Sequence, residues 1–170
     1  MSYTPLSKEQ AKDMSKPPLI DDGIYPCELI EFTNHDKHGN KMCDKNRDPM
    51  TRIKLKIWDN AGKERTISTN IFWGSNNRMS YRTRHMADSF KVTELYESGQ
   101  MYDQLNQCLH KQGYCEIYTQ PERPKNDGTG GVWEEKNDVR DFLEEVNAPA
   151  TKPAAAAPGV EPGFDDDVPF

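Results

Sequence analysis

Hydrophobic and polar residues alternate most regularly between residues 51 and 58. Ile53, Leu55 and Ile57 occupy every second position there, which is the period of a β-strand with one buried face. The positions between them are basic, and the segment ends on an indole. The pattern therefore predicts a strand whose inner face joins a core and whose outer face carries Arg52, Lys54, Lys56 and Trp58.

Weaker alternation predicts four further strands. They cover residues 23–32, 64–73, 114–120 and 132–143, with turn-forming residues near their ends. Pro26 lies inside the first of these segments. Because proline has no N–H to donate to a neighbouring strand, it indicates a sheet edge or a bulge there. Residues 34–50 are polar and predict a long loop between the first two strands.

Two helices are predicted between the third and fourth strands. The first covers residues 78–90 and places Arg78, Arg82 and His85 on one side at helical spacing. Its apolar side consists of Met79, Thr83, Met86 and Phe90. The second helix is shorter, covering residues 101–110, and Gly113 ends it.

Three strands, a helical segment and two further strands follow one another in the order of an OB-fold. The sequence thus predicts a mainly β protein, a five-stranded OB-fold barrel with a helical insertion between strands 3 and 4, over residues 21–146. A flexible N-terminal arm, residues 1–20, precedes it, and Ser7 and Gln10 have the spacing of a capping box there. Residues 147–163 are rich in Pro and Ala and predict a disordered linker. Residues 164–170 form an acidic tip.

Charge is distributed unevenly along the 170 residues. The formal net charge is −6, which by itself argues against binding to nucleic acid. However, residues 33–91 contain 13 Lys and Arg against 6 Asp and Glu, whereas residues 92–170 contain 6 against 16. A basic block within an acidic chain indicates a surface for phosphates together with an acidic segment that competes for it.

The four cysteines are widely spaced and form no CxxC pair. Free thiols in a reducing compartment are therefore expected, and the predicted location is the cytoplasm. No apolar run approaches the roughly 18 residues of a membrane span, so no membrane association is expected. The chain contains no phosphate-binding Gly loop and no nucleophile elbow, which predicts a protein without enzymatic activity or cofactor.

A single-stranded nucleic acid needs cations for its phosphates and flat side chains on which unpaired bases stack. Both occur together on the outer face of residues 51–58, and this predicts an interface centred on Lys54, Lys56 and Trp58. Neighbouring segments extend the predicted set. The full set of candidates for nucleic-acid binding is Arg52, Lys54, Lys56, Trp58, Arg65, Phe72, Trp73, Arg78, Tyr81, Arg82 and Arg84.

The last residues combine an acidic run with a terminal aromatic ring. Phe170 offers a ring and an α-carboxylate on one residue, which suits an apolar pocket with a basic rim. Pro169 restricts the backbone before the ring and lowers the cost of ordering it. The residues predicted to bind a partner are Asp165, Asp166, Asp167, Val168, Pro169 and Phe170.

This tip resembles the C-terminal end of bacterial single-stranded DNA-binding proteins. The body is similar to small phage single-stranded DNA-binding proteins with an OB-fold, whose first strand begins with the Gly-x-Tyr that Gly23-Ile24-Tyr25 matches. The resemblance implies sequence-nonspecific binding and protection of single-stranded DNA in replication, recombination or repair, in the bacterial host cytoplasm if the chain is phage-encoded. It also implies that the tip recruits replication and recombination proteins and competes with DNA.

Several alternatives stay open at this point. His35, His38 and Cys43 share one loop and raise the question of zinc, although their spacing fits no standard site. Asp21, Asp22 or Glu28 would be the carboxylates of a metal-dependent nuclease. The chain could also be an adaptor that uses only its tail, or a binder that prefers RNA. The sequence does not determine the oligomeric state.

Overall fold

The structure is a computed structural model that describes residues 2–16 and 18–144. The predicted linker (147–163) and acidic tip (164–170) lie outside the described residues.

Five strands form one antiparallel sheet, as the alternation predicted. They are β1 (Gly23–Thr33), β2 (Met50–Trp58), β3 (Glu64–Phe72), β4 (Gln112–Gln120) and β7 (Lys136–Leu143), in the spatial order β3-β2-β1-β4-β7. β5 (Arg123–Pro124) and β6 (Val132–Trp133) make a separate small hairpin. The predicted fifth strand at 132–143 is therefore wrong at its start, because residues 132–133 pair locally across a turn and not with β4.

The helical segment between β3 and β4 is small. A 3₁₀ turn (Arg78–Ser80) leads into α2 (Tyr81–Ser89), followed by α3 (Thr93–Glu97) and a second 3₁₀ turn (Leu105–Cys108). The predicted second helix at 101–110 is wrong, since only Leu105–Cys108 is helical and only as a 3₁₀ turn. His110 takes a φ of 66° directly before β4, which a continuous helix could not include.

The core lies on the inner face of the sheet and beneath α2. Ile53, Leu55 and Ile57 of β2 are fully buried, as predicted from their period. The buried residues of β1 are Tyr25, Pro26, Cys27 and Leu29. Thr83, Met86 and Phe90 pack from the helical segment, whereas Met79, predicted on the same side, is 37% exposed.

Pro26 lies in the central strand of the sheet and not in an edge strand. The pairing of β1 with β2 begins only at Cys27, so Pro26 has its strand partner on the β4 side, where it lies opposite Tyr114. The missing N–H is tolerated because this position is a local edge. A bulge does occur in β1, but farther along, between Leu29 and Glu31.

β3 and β7 are the outer strands of the sheet, and no strand pairing joins them in the described part of the chain. The pairings thus show a five-stranded antiparallel sheet, and its closure into a barrel stays a prediction. Arg82 of α2 spans the two strands instead. Its Nη1 donates to the carbonyl oxygen of Val139 at 2.6 Å, and its Nη2 donates to that of Asn70 at 2.9 Å.

The N-terminal arm contains α1 (Lys8–Ser15), which has the predicted capping box between Ser7 and Gln10. None of the residues of α1 is buried. The arm is attached by Ile20, whose backbone N–H and carbonyl both bond to the side chain of Asn137 at 2.9 and 3.0 Å. Lys16 adds an exposed ion pair with Glu134 at 3.0 Å.

Candidate nucleic-acid interface

The outer face of β2 presents a line of cations that ends in an indole. Arg52, Lys54, Lys56 and Trp58 alternate with the buried core residues and are at least partly exposed. We call these four residues the basic strip. Across from Lys54 and Lys56 the neighbouring strand β3 places Ser68 and Thr66. Because these neighbours are small, the lysine side chains remain accessible above the sheet.

Each lysine of the basic strip also meets a carboxylate. Lys54 Nζ lies 3.3 Å from Glu31 Oε2, and Lys56 Nζ lies 3.1 Å from Glu64 Oε1. The hydrogen bond to Glu64 raises the pKa of Lys56, so this side chain stays a cation. Both pairs are exposed to solvent and contribute little to stability, which makes the carboxylates replaceable by phosphate.

Trp58 closes the basic strip at the end of β2. The ammonium of Lys56 lies 5.9 Å from the centre of the Trp58 ring, within the range of a cation–π contact. A cation that can bind a phosphate and a ring on which a base can stack are thus adjacent on one face. This is the arrangement that binding of an unpaired strand requires.

A groove adjoins the other end of the basic strip. Phe72 occupies the outer face of β3 opposite Met50, which precedes Arg52 on the outer face of β2. Phe72 forms one wall of an open groove of about 910 Å³. We call it the loop groove; its lining residues are Lys45, Asn46, Phe72, Asn76, Asn77, Arg78, Met79 and Tyr81.

Asp44 organises the wall of the loop groove. Its Oδ2 accepts a hydrogen bond from Asn77 Nδ2 at 3.0 Å, and its Oδ1 accepts the backbone N–H groups of Asn46 and Asp48 at 2.8 and 3.0 Å. The hydrogen bond from Asn77 and those from the backbone hold the pKa of Asp44 below its usual value. The long loop between β1 and β2 is thereby joined to the segment that follows β3.

Of the predicted candidates, seven lie on these two surfaces. They are Arg52, Lys54, Lys56 and Trp58 on the basic strip, and Phe72, Arg78 and Tyr81 in the loop groove. The strip and the groove meet near Phe72. With a rise of about 3.4 Å per residue, β2 alone extends this surface over roughly 27 Å.

Two candidates on β3 belong elsewhere. Trp73 follows Phe72 and turns to the opposite side, where it packs against the core and its Nε1 donates to Thr51 Oγ1 at 2.9 Å. Arg65 faces Asp59 at 3.2 Å and is mostly buried. Alternation along β3 explains both outcomes, because each of them is one residue out of phase with the outer face.

Two candidates on α2 also differ from the prediction. Arg82 is 6% exposed and bonds to backbone carbonyls of β3 and β7, so it is a structural residue and not a surface cation. Arg84 forms ion pairs with Asp88 and Glu97 at 3.2 and 3.1 Å, away from the loop groove. Helical periodicity placed Arg82 beside Arg78, but the short 3₁₀ turn between them changes the direction of the side chains.

Three cation–ring pairs in the described part of the chain contain none of the predicted residues, and the first joins Lys41 Nζ to the Tyr102 ring, 5.1 Å from its centre. Lys125 Nζ lies 4.6 Å from the ring centre of Trp133 on the β5–β6 hairpin, and Arg140 lies 4.6 Å from that of Tyr118. Trp133 is 54% exposed. The pattern of residues 132–143 predicts one continuous strand and so gives no separate hairpin. The exposed Trp beside a Gly-rich turn was the signal for it.

Within residues 2–16 and 18–144, no group of three or more His, Cys, Asp or Glu side chains is arranged to hold a metal ion. His35, His38 and Cys43, and equally Asp21, Asp22 and Glu28, fall within this range. No helix in the same part of the chain is long and apolar enough to cross a membrane.

No protein-family model matches the chain, and a search of curated proteins found no match either.

Proposed function

We propose that this chain binds single-stranded DNA along the basic strip and the loop groove, without strong dependence on base sequence at the strip. The observation that carries the proposal is that Lys54, Lys56 and Trp58 share one outward face of β2. The lysines contact phosphates, and Trp58 stacks on a base, which contributes about 1 to 3 kcal/mol.

The arrangement of the strands supports an OB-fold as the scaffold. The order β3-β2-β1-β4-β7 is that of a five-stranded OB-fold sheet, and β3 and β7 approach each other where Arg82 spans them. In such folds the face of the second and third strands is a common site for oligonucleotides. The basic strip occupies this face.

The C-terminal tip has a second role in this proposal. Asp165 to Asp167 are attracted to the same basic surface as DNA and compete with it at low salt. The terminal Phe170, with Pro169 before it, binds replication, recombination or repair proteins that carry an apolar pocket with a basic rim. The protein thereby protects the single strand and brings enzymes to it.

A titration with an unlabelled dT oligonucleotide, followed by Trp emission at two salt concentrations, tests the proposal. We expect quenching that is weaker at high salt and that is largely lost in Trp58→Phe. Trp133→Phe is the matched variant, since it removes another exposed indole, and it should retain most of the quenching. Absence of salt-dependent binding by the full chain would overturn the proposal. A parallel titration with a U oligonucleotide compares RNA with DNA.

A further inference from the structure

The loop groove differs from the basic strip in its electrostatics. The two lysines of the strip form ion pairs with Glu31 and Glu64. In the groove, Lys45 and Arg78 are exposed, and neither has an ion pair with another described residue. These cations are therefore available to a phosphate without first displacing a carboxylate.

Aromatic and apolar side chains form the walls between these cations. Tyr81 is 44% exposed and Met79 37% exposed, and Phe72 lies opposite Met50 at the strand end. The Tyr81 ring packs edge-to-face against His85, with 5.4 Å between the ring centres, and the rest of its surface is open to solvent. The volume of the groove is more than sufficient for one nucleotide.

The amides of the loop groove are not equivalent. The side chain of Asn77 is engaged at both ends, because it donates to Asp44 and accepts from the N–H of Met79 at 2.8 Å. Asn46 donates to the carbonyl oxygen of Asn76 at 3.5 Å. The side-chain amide of Asn76 is exposed and bonds to no other described residue. It offers one donor and one acceptor side by side.

We propose that the loop groove is a pocket for one unpaired adenine of the bound strand. The base stacks on the ring of Phe72 or Tyr81, the Asn76 amide pairs with its N6 and N7, and Arg78 and Lys45 bind the flanking phosphates. An Asn or Gln amide can form a bidentate pair with the N6 and N7 of adenine, and larger rings stack over more area. This inference rests on the proposed binding of single-stranded DNA and adds a base preference to it.

The test compares labelled oligonucleotides of about 15 nucleotides, all dT or with a single central dA, dG or dC, by fluorescence anisotropy. The full chain should bind the dA-containing strand at least about five-fold more tightly than all dT. In Asn76→Ala this ratio should fall to about one, because the amide is the group that distinguishes adenine from thymine. Asn106→Ala, which removes an exposed amide on the second 3₁₀ turn, is the matched control and should keep the ratio.

Arg78→Ala provides a second measurement. It should weaken binding of every oligonucleotide by a similar factor and keep the dA preference, because phosphate contacts carry no base information. Binding of all oligonucleotides with equal affinity, or a dA preference that survives Asn76→Ala, overturns the adenine pocket and leaves the proposed function intact. Absence of binding to any oligonucleotide overturns both.

Discussion

The Nη1 of Arg82 donates a hydrogen bond of 2.6 Å to the carbonyl oxygen of Val139. With the second bond from Nη2 to Asn70, one guanidinium connects the two outer strands of the sheet across the gap that strand pairing leaves. Arg82 is almost fully buried, and its Nε has no hydrogen-bond partner in the described part of the chain. The Arg82 guanidinium therefore stabilises the contact between β3 and β7.

Replacing Arg82 by Leu should destabilise the protein by about 2 to 4 kcal/mol, because one buried and one partly buried carbonyl oxygen lose their donors. Urea denaturation measures the change. Arg78→Leu, which removes an exposed Arg that has no ion pair with another described residue, should change stability by no more than about 0.5 kcal/mol. A stable Arg82→Leu protein that fails to bind oligonucleotide would instead show Arg82 to be a DNA contact.

Lys54→Ala and Lys56→Ala should each make the dependence of log affinity on log salt less steep by about 0.7, as expected when one phosphate contact to a single strand is lost. Lys8→Ala on the exposed α1 should leave the slope unchanged. The measurement is a series of dT titrations at increasing salt. Unchanged slopes in both strip variants would exclude the basic strip from phosphate binding.

Glu31→Gln should tighten binding of dT oligonucleotide several-fold at low salt. Glu31 lies 3.3 Å from Lys54, so its removal frees the lysine and eliminates repulsion of the phosphate. The gain should shrink at high salt, since it is electrostatic. Glu94→Gln on α3 removes a carboxylate far along the chain from the strip and should have little effect. Equal affinities of the wild-type and Glu31→Gln chains at low salt would contradict the prediction.

Asp59 should make stability depend on acid pH. Its Oδ1 accepts the backbone N–H groups of Ala61 and Lys63, both at 2.9 Å, and its Oδ2 accepts from Arg65 at 3.2 Å. Burial by itself would raise the pKa of Asp59, but these hydrogen bonds outweigh it and lower the pKa below the ordinary 3.8.

A carboxylate with a lowered pKa stabilises the fold above its unfolded pKa, and the stabilisation is lost as the pH falls through the native pKa. Asp59→Asn should thus cost about 1 to 3 kcal/mol at neutral pH, and the difference from wild type should shrink below pH 3.8. Thermal melts at a series of pH values measure it. Asp138→Asn, which replaces a carboxylate on β7, is the comparison variant. If the stability difference between Asp59→Asn and wild type does not change with pH, the stabilising role of the Asp59 carboxylate is wrong.

A chain that ends at Gly163 should bind dT oligonucleotide more tightly than the full chain at low salt, because the competing anionic tip is gone. Replacing Asp165, Asp166 and Asp167 by Asn in the full chain should have the same effect without shortening it. Anisotropy at two salt concentrations measures both. Unchanged affinity of both variants at low salt would remove the competing role of the tip and leave its recruiting role to separate binding tests.

The sequence alone predicted the features that depend on local period. The alternation of Ile53, Leu55 and Ile57 with basic residues determined both the position of β2 and which face is buried, because the side-chain period of a strand is fixed by its backbone. The capping box of Ser7 and Gln10 followed from spacing in the same way. Five strands and a mainly β class could be predicted because each main strand carries its own pattern.

Only the tertiary structure decided features that depend on residues distant in sequence. Arg82 and Arg78 look alike in a helical pattern, yet one spans β3 and β7 while the other lines the loop groove, since α2 lies across the gap between the edge strands. Likewise, Asp44 joins the loop before β2 to Asn77 after β3, 33 positions away in the chain. Contacts of this kind are set by where the elements pack, and no local period in the sequence records them.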